Sequence, residues 1–155
     1  MRRKDREVLD TEIIRDFLES SNIVRIAFNT GAAPYIVPLG YGFDYDGKEL
    51  TLYMHGSKDG RKVDLAEQAP EVGFEIDYTS EVHLGETAKD TSIDFVSIIG
   101  TGYLHILKET EEIEHCFNRI MYQFMGKDKH DYEPIVFEIT TAFKLSVDSF
   151  TMKKS

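Results

Sequence analysis

Residues 34–65 read PYIVPLGYGFDYDGKELTLYMHGSKDGRKVDL, and the reading of this stretch decides the fold. From Tyr35 to Phe43 the side chains alternate: Tyr35, Val37, Leu39, Tyr41 and Phe43 fall on one face, Ile36, Pro38, Gly40 and Gly42 on the other. That is the two-residue period of a strand. Pro38 cannot donate to a ladder, so one side of this strand is locally unpaired. Gly40 and Gly42 leave the backbone bare on their face, which fits either the curvature of a barrel or the close approach of another strand or a planar ligand. Asp44-Tyr45-Asp46-Gly47 is a hairpin turn, and Leu50–His55 is the returning strand, with Thr51, Tyr53 and His55 on one face.

The rest of the chain continues in the same manner. Asp10 or Thr11 caps a helix over 11–20, whose apolar stripe is Ile13, Ile14, Phe17 and Leu18. A strand follows over 23–28, and Asn29-Thr30-Gly31 turns into the strand at Tyr35. Beyond the quoted stretch a short helix fits 60–68 and a strand fits 72–78, while residues 79–92 are polar, lack periodicity and read as a loop. A long strand is expected from Phe95 to Leu107, and a helix over 111–125 capped by Thr110 and ended by Gly126. Two closing strands are expected at 135–139 and 143–147. Strands dominate and are mostly sequence neighbours, which argues for a mainly β protein, an antiparallel barrel with peripheral helices, and against a doubly wound α/β sheet.

The bulk numbers agree with one domain spanning 1–155. The 155 residues are 41% hydrophobic, and ten Phe and eight Tyr supply bulky core material. With 18 Lys and Arg against 28 Asp and Glu, the net charge is −10, which disfavours nucleic acid and anionic membranes as partners. Cys116 is the single cysteine, so an intrachain disulfide and a Cys-rich metal site are excluded. No apolar run reaches the roughly 18 residues of a membrane span, and the basic start MRRKDREV is not followed by the apolar core of a secretion signal. The expected location is the cytoplasm, and the basic start reads as a solvated tail.

Chemistry concentrates at His55-Gly56-Ser57-Lys58-Asp59-Gly60-Arg61-Lys62, between a strand and a helix. Free amides at a helix start attract anions, and Lys58, Arg61 and Lys62 add cations to an otherwise acidic chain. The turn reads as a phosphate pocket or as a solvated loop, and Asp59 opposes a phosphate unless its carboxylate caps the helix. It is not a Walker A loop. His55 ends its strand directly before the turn, as a proton donor beside a ligand or as a rim residue. His83 and His130 fall in polar stretches, His115 on a helix and His105 on a strand, and no pair has metal-ligand spacing, so no metal is expected. Cys116, beside Phe117 on an amphipathic helix, reads as a core thiol.

Taken together, PYIVPLGYGF, LYMHGSKDGRKVDL and FVSIIGTG, with the helix from Thr11, resemble the FMN-binding split-barrel superfamily of pyridoxamine 5′-phosphate oxidase. Within it the chain is similar to the 5-nitroimidazole-resistance (Nim-type) proteins. The resemblance implies a six-stranded antiparallel split β-barrel and a homodimer with FMN at the shared interface. It implies ring contacts at Val37, Pro38 and Leu39, which gives Gly40 and Gly42 a reason to be small. Ser57, Arg61 and Lys62 would bind the phosphate, and Ser97 would contribute from an interface strand. His55 matches the histidine that Nim-type proteins place near the flavin, and would serve as the catalytic residue. The implied activity is an FMN-dependent oxidoreductase reducing small planar acceptors such as nitroaromatics. A flavin- or haem-utilising enzyme with another substrate and a non-catalytic FMN-binding or ligand-sensing module remain as alternatives.

Overall fold

The computed structural model describes residues 3–155. The strands are β1 (Glu7–Val8), β2 (Ile23–Phe28), β3 (Tyr35–Tyr45), β4 (Leu50–Ser57), β5 (Glu71–His83), β6 (Ser92–Ile106) and β7 (Thr140–Lys154). The helices are α1 (Thr11–Ser20), α2 (Arg61–Gln68), α3 (Thr110–Met125) and α4 (Pro134–Ile139). The pairing order is β1-β7-β4-β3-β2-β5-β6, and β6 pairs back onto β7. Six antiparallel strands, β2 to β7, therefore close a barrel, and β1 is an extra strand on the end of β7.

The alternation expected for β3 is the one observed. Its odd-numbered residues face the barrel interior, where Tyr41, Phe43 and Tyr45 join Val24, Ile26 and Phe28 of β2, Leu52 and Met54 of β4, and Val72, Phe74 and Ile76 of β5. The Asp10 carboxylate caps α1, accepting from the amides of Glu12 at 2.9 Å and Ile13 at 3.3 Å. This helix buries Ile14, Phe17 and Leu18 over the barrel end where β3 finishes, and Tyr41 Oη donates to Leu18 O at 2.9 Å. At the other end, α2 buries Ala66.

A second, smaller core lies outside the barrel. There α3 covers the outer face of β4 and β7 through Tyr53, Leu107, Cys116, Phe117, Ile120 and Ala142. The bare glycine face of β3 belongs to this contact. A methyl group at Gly42 would overlap the backbone carbonyl group of Arg119, and one at Gly40 would lie 2.9 Å from the Phe124 ring. The reason these two residues are small is the seating of α3 against β3, which corrects the expectation that a flavin ring requires it.

Several boundaries also differ from expectation. Residues 79–92 are not all loop: β5 runs to His83 and β6 starts at Ser92, paired through a bulge between Thr79 and Val82. Both faces of this arm are exposed, so burial imposes no apolar alternation for a reader to detect. Residues 135–139 form α4 rather than a strand, because Pro134 occupies the first helical turn, where its missing N–H costs nothing. A short apolar run does not distinguish the two states by periodicity. The last strand is not confined to 143–147 but spans Thr140–Lys154, its polar outer half held by the ladder to β6. Thr110 is the first residue of α3, not its cap, and no side chain caps that helix among the described residues. The basic start is not a free tail over its described part: Lys4–Arg6 form a 3-10 turn leading into β1, and Arg6 stacks on Phe95 at 6.0 Å. Arg2 lies outside the described residues. Among the described residues, no helix is long and apolar enough to cross a membrane.

The close seating of α3 is directly testable. Gly42→Ala forces β3 and α3 apart and should lower unfolding stability by about 1–3 kcal/mol. Gly73→Ala, whose added methyl would meet nothing nearer than Ala27 Cβ at 3.8 Å, should leave it unchanged or slightly raised. Equal denaturant midpoints for the two variants would show that α3 does not depend on this contact.

Candidate functional site

The barrel opens at one seam. The β3–β4 ladder runs from Tyr45↔Leu50 to Tyr41↔Met54 and stops there. Beyond it, residues 35–40 of β3 pair only with β2, and residues 55–57 of β4 pair only with β7. The two strands diverge, and the seam side of residues 35–40 keeps backbone groups with no strand partner among the described residues. Pro38 stands in the middle of this edge, where a missing N–H disturbs the fewest bonds. Its ring is exposed on the outer face, whereas the side chains of Val37 and Leu39 turn inward against the barrel core. Backbone polar groups alternate in side along a strand, so those of Val37 and Leu39 point to β2, and those of Ile36, Pro38 and Gly40 face the seam.

The basic turn stands at the same seam. Lys58 N donates to Ile139 O at 3.0 Å, and Thr141 Oγ1 donates to Lys58 O at 3.3 Å, which ties the turn to β7. Lys62 folds its chain back over Gly56, so that a methyl group at Gly56 would collide with the lysine methylenes and lie 3.0 Å from Nζ. Arg61 places its guanidinium over the Tyr35 ring, 4.6 Å from the centroid, which links α2 to the first residue of β3. Ser57 is exposed at the end of β4. Among the described residues, no side chain caps α2. Asp59 therefore does not cap the helix, and its carboxylate is the feature of the turn that works against an anion.

His55 is the first residue of β4 past the ladder with β3. Its ring points outward, edge-on to Phe117 of α3 at 6.2 Å and 84°. The residue stays exposed, and partial desolvation beside these apolar neighbours lowers its pKa from the usual histidine value, favouring the neutral imidazole. Beside it a cleft opens between β4, α3 and α4, walled by Phe117, Met121, Tyr132 and Val136. On the far side of α3, His115 Nε2 and Asp44 Oδ2 stand 2.9 Å apart, and Arg119 Nε lies 2.9 Å from Asp44 Oδ1. Cys116 is buried, its thiol pointing to Met54 O at 3.4 Å, and desolvation pushes its pKa up to about 12. That is the inert thiol of a core position.

Of the residues anticipated from the sequence, Val37, Pro38, Leu39, His55, Ser57, Arg61 and Lys62 all lie along the seam or the turn beside it. Ser97 does not: it pairs with Asp77 and Lys153 on β6, three strands from β3 within the same chain. His83, expected in a loop, ends β5 beside Asp94 at 2.8 Å. The sequence reading missed Tyr35 as the platform for Arg61, and Met121, Tyr132, Val136 and Thr140 around His55. The helical spacing of Ile113, Phe117, Ile120, Met121 and Phe124 marks an apolar stripe on α3, which puts Met121 on a buried face without pointing to a site. Tyr132 sits in a polar stretch that carries no such stripe.

A barrel split at one seam, with a cationic helix start beside the opening, defines the structural class of this protein. The chain belongs to the pyridoxamine 5′-phosphate oxidase family, whose model matches residues 10–154. No curated protein matches it significantly. Among solved structures, it resembles a candidate 5-nitroimidazole antibiotic resistance protein from Bacteroides thetaiotaomicron, at 22% identity over 96% of this chain and 86% of that one, with a TM-score of 0.77. It resembles the FAD and haem binding protein from Mycobacterium smegmatis at 15% identity, over 97% and 73% of the two chains, with a TM-score of 0.84. The flavocytochrome Anf3 from Azotobacter vinelandii aligns at 14% identity over 100% and 72%, with a TM-score of 0.81. At these identities the likeness is one of fold.

The depressed pKa of His55 has a signed consequence. Its unfolded-state pKa lies above the folded one, so the unfolded chain binds more protons between the two values. Stability associated with the neutral ring is complete above the unfolded pKa, about 6.5, and is lost as pH falls towards the folded value. Unfolding free energy should therefore fall less between about pH 7 and pH 5 in His55→Gln than in the parent protein. An equal or steeper fall in the variant would show that the ring is freely solvated.

Proposed function

We propose that the chain is an FMN-dependent oxidoreductase that reduces small nitroaromatic compounds such as 5-nitroimidazoles, with the flavin held along the β3–β4 seam. The observation that carries this reading is the meeting, at one opening of the barrel, of an unpartnered strand edge and an uncapped helix start bearing two cations. The strand edge suits a planar heterocycle lying along Val37, Pro38 and Leu39, its hydrogen-bonding edges met by the seam-facing backbone groups of Ile36, Pro38 and Gly40. The helix start suits a phosphate. Gly56 leaves the space in which Lys62 lies, a cradle that a side chain would fill. Arg61 is already oriented by Tyr35, so less conformational entropy is lost when it engages an anion. Ser57 adds a hydroxyl. The residues present fit the group.

A bound flavin supplies electron transfer to the acceptor. The protein's part is to bind, orient and handle the proton. His55, on the rim of the seam, would hydrogen-bond the acceptor as charge develops there; the neutral imidazole keeps its N–H in doing so, and a proton reaches the acceptor only through the imidazolium form, recharged from water. The site is shared in a homodimer. Its proposed contact face is the outer surface of β2, β3, β5 and β6, where Ile23, Ile36, Ile99 and Tyr103 are exposed around the ion cluster of Arg25 with Glu75 and Asp77. Ser97 lies on this face, so the partner copy is what would bring it to the flavin. A likeness to flavin- and haem-binding barrels supports the cofactor class, and the nitroimidazole-type neighbour supports the acceptor class.

Lys62→Ala should weaken FMN but not riboflavin, which has no phosphate. A charge-assisted contact of about 1.5–3 kcal/mol corresponds to roughly a ten- to hundredfold loss. Titration of flavin fluorescence gives both constants, and equal losses for the two ligands would remove Lys62 from the phosphate site. Light scattering of the flavin-bound protein should give the mass of two chains; a monomer would overturn the shared site. His55→Gln should keep the flavin and slow its reoxidation by a nitroimidazole by roughly a hundredfold if the proton matters. An unchanged stopped-flow rate would make His55 a rim residue only.

A further inference from the structure

Two Asp-Gly dipeptides sit in surface turns of this chain, and the fold treats them in opposite ways. Asp46–Gly47 lies in the β3–β4 hairpin, and Asp59–Gly60 lies in the basic turn before α2. We infer that Asp59–Gly60 is a site of spontaneous aspartate isomerisation, which loosens the start of α2, and that Asp46–Gly47 is protected from it. This goes beyond the flavin reading and does not rest on it.

The reaction needs nothing but water. The Gly60 amide nitrogen attacks the protonated Asp59 carboxyl at Cγ, unobstructed because glycine carries no Cβ. The N–Cγ bond forms, the Cγ–OH bond breaks, and the hydroxyl and the amide proton leave as water, giving a succinimide. A second water opens the ring. Breaking the N–Cγ bond restores aspartate. Breaking the bond between Gly60 N and the Asp59 carbonyl carbon leaves isoaspartate, whose main chain runs through Cβ and Cγ and whose carboxylate sits on Cα.

Contacts separate the two dipeptides. Asp46 Oδ1 accepts from the amides of Lys48 at 2.8 Å and Glu49 at 2.7 Å, and must give up both bonds to turn towards Gly47. The Glu49 and Lys48 amides also hold the Asp46 carboxyl below its usual pKa, which depletes the protonated form that reacts. Gly47 is packed as well, since a methyl group there would lie 3.5 Å from Thr11 Cγ2 of α1. Asp59 and Gly60 are both exposed, and among the described residues the Asp59 carboxylate has no hydrogen-bond or ion-pair partner. Gly60 takes a φ of 135°, and nothing lies within 4 Å of the place its Cβ would occupy. This dipeptide can close the ring without breaking a contact.

The product does not fit the turn. Lys58 is pinned to β7 through its N–H to Ile139 O at 3.0 Å and its carbonyl to Thr141 Oγ1 at 3.3 Å. Two residues on, Gly60 O accepts the first bonds of α2, from Val63 N at 2.8 Å and Asp64 N at 3.3 Å. Isoaspartate lengthens the main chain by one carbon between these anchors. The helix end is the side that yields, because helix termini open more readily than a strand ladder.

The test ages the purified full chain at neutral pH and physiological temperature and maps isoaspartate by peptide mass spectrometry and by methylation with an isoaspartyl methyltransferase. Isoaspartate should form at position 59 at least about tenfold faster than at position 46, where two hydrogen bonds must break before the ring closes. In urea the two rates should converge, as both dipeptides then have the same surroundings. Asp59→Glu keeps the charge but would need a larger ring, and should give no product at that position. In the isomerised form, separated by ion exchange, the Val63 and Asp64 amides should exchange hydrogen at least about tenfold faster than in the parent. The inference is overturned if position 59 reacts no faster than position 46 in the folded chain, if the ratio is the same in urea, or if the exchange of Val63 and Asp64 is unchanged. None of these readouts involves flavin, so their failure leaves the oxidoreductase reading standing, and the reverse holds as well.

Discussion

The backbone of α3 rests on the backbone of β3 at Gly42, and most of what is functional in this protein depends on that contact. No side chain separates the two elements there. Arg119 locks the arrangement, its guanidinium donating to Phe43 O at 2.9 and 2.7 Å and pairing with Asp44. Gln123 extends the lock, donating to the Leu18, Glu19 and Ser21 carbonyls at the end of α1. With α3 fixed this close, Phe117 and Ile120 cover Tyr53, and Cys116 is sealed against Met54 and Phe143. A larger residue at position 42 would lift the helix and dissolve both the outer core and the cleft beside His55.

The same contact explains why the seam opens where it does. Up to Tyr41 and Met54, β3 and β4 are paired and roofed by α3. Past that point Phe124 still reaches Gly40, but the strands part, and α2 with its turn takes over from the ladder. The cost of an unpaired edge is limited because Pro38 removes one donor from it and because water or a ligand reaches the remainder. An acidic chain of net charge −10 then concentrates Lys58, Arg61 and Lys62 within five residues of that edge. Such a local field attracts one anionic group without making the whole surface attractive to polyanions.

How much of this was legible in the sequence follows from the range of the interactions. The β3 alternation, the hairpin and the Asp10 cap are local, and each was readable. The smallness of Gly40 and Gly42 was readable too, but its cause was not, because the partner lies about 80 residues away on a helix whose apolar stripe, Phe124 included, does not say which strand it covers. The segment at 135–139 failed for a different reason: four apolar residues around Glu138 fit a strand or a short helix equally, and Pro134 was the deciding signal. At the site, His55 and the basic turn stood out from position alone. The stacking of Arg61 on Tyr35 and the fold of Lys62 over Gly56 did not, since both join residues across a turn whose shape depends on the finished barrel. Tyr132 was invisible in principle, as its place comes from contacts with other elements: the hydrogen bond to Asn118 and the packing of its ring on Phe117 and Phe137.

The position of His55 draws these threads together. It is the residue at which β4 leaves β3, so one edge of its strand faces the seam while its ring faces the α3 cleft. Two environments with opposite demands meet there. The seam is lined by backbone dipoles and cations and suits an anionic, hydrogen-bonding ligand; the cleft is aromatic and uncharged and suits a neutral one. A cation at this boundary would repel Lys62 and Arg61 and would lie uncompensated against Phe117. The partial desolvation that favours the neutral imidazole suits both sides at once, leaving a group that donates through one nitrogen and accepts through the other. A lysine could not take its place without importing a charge into the cleft, and a glutamine would keep the hydrogen bonds but lose the titratable nitrogen. The environment of this exposed ring is thus set by how closely Phe117 of α3 approaches it, which returns the matter to the packing of two backbones at Gly42.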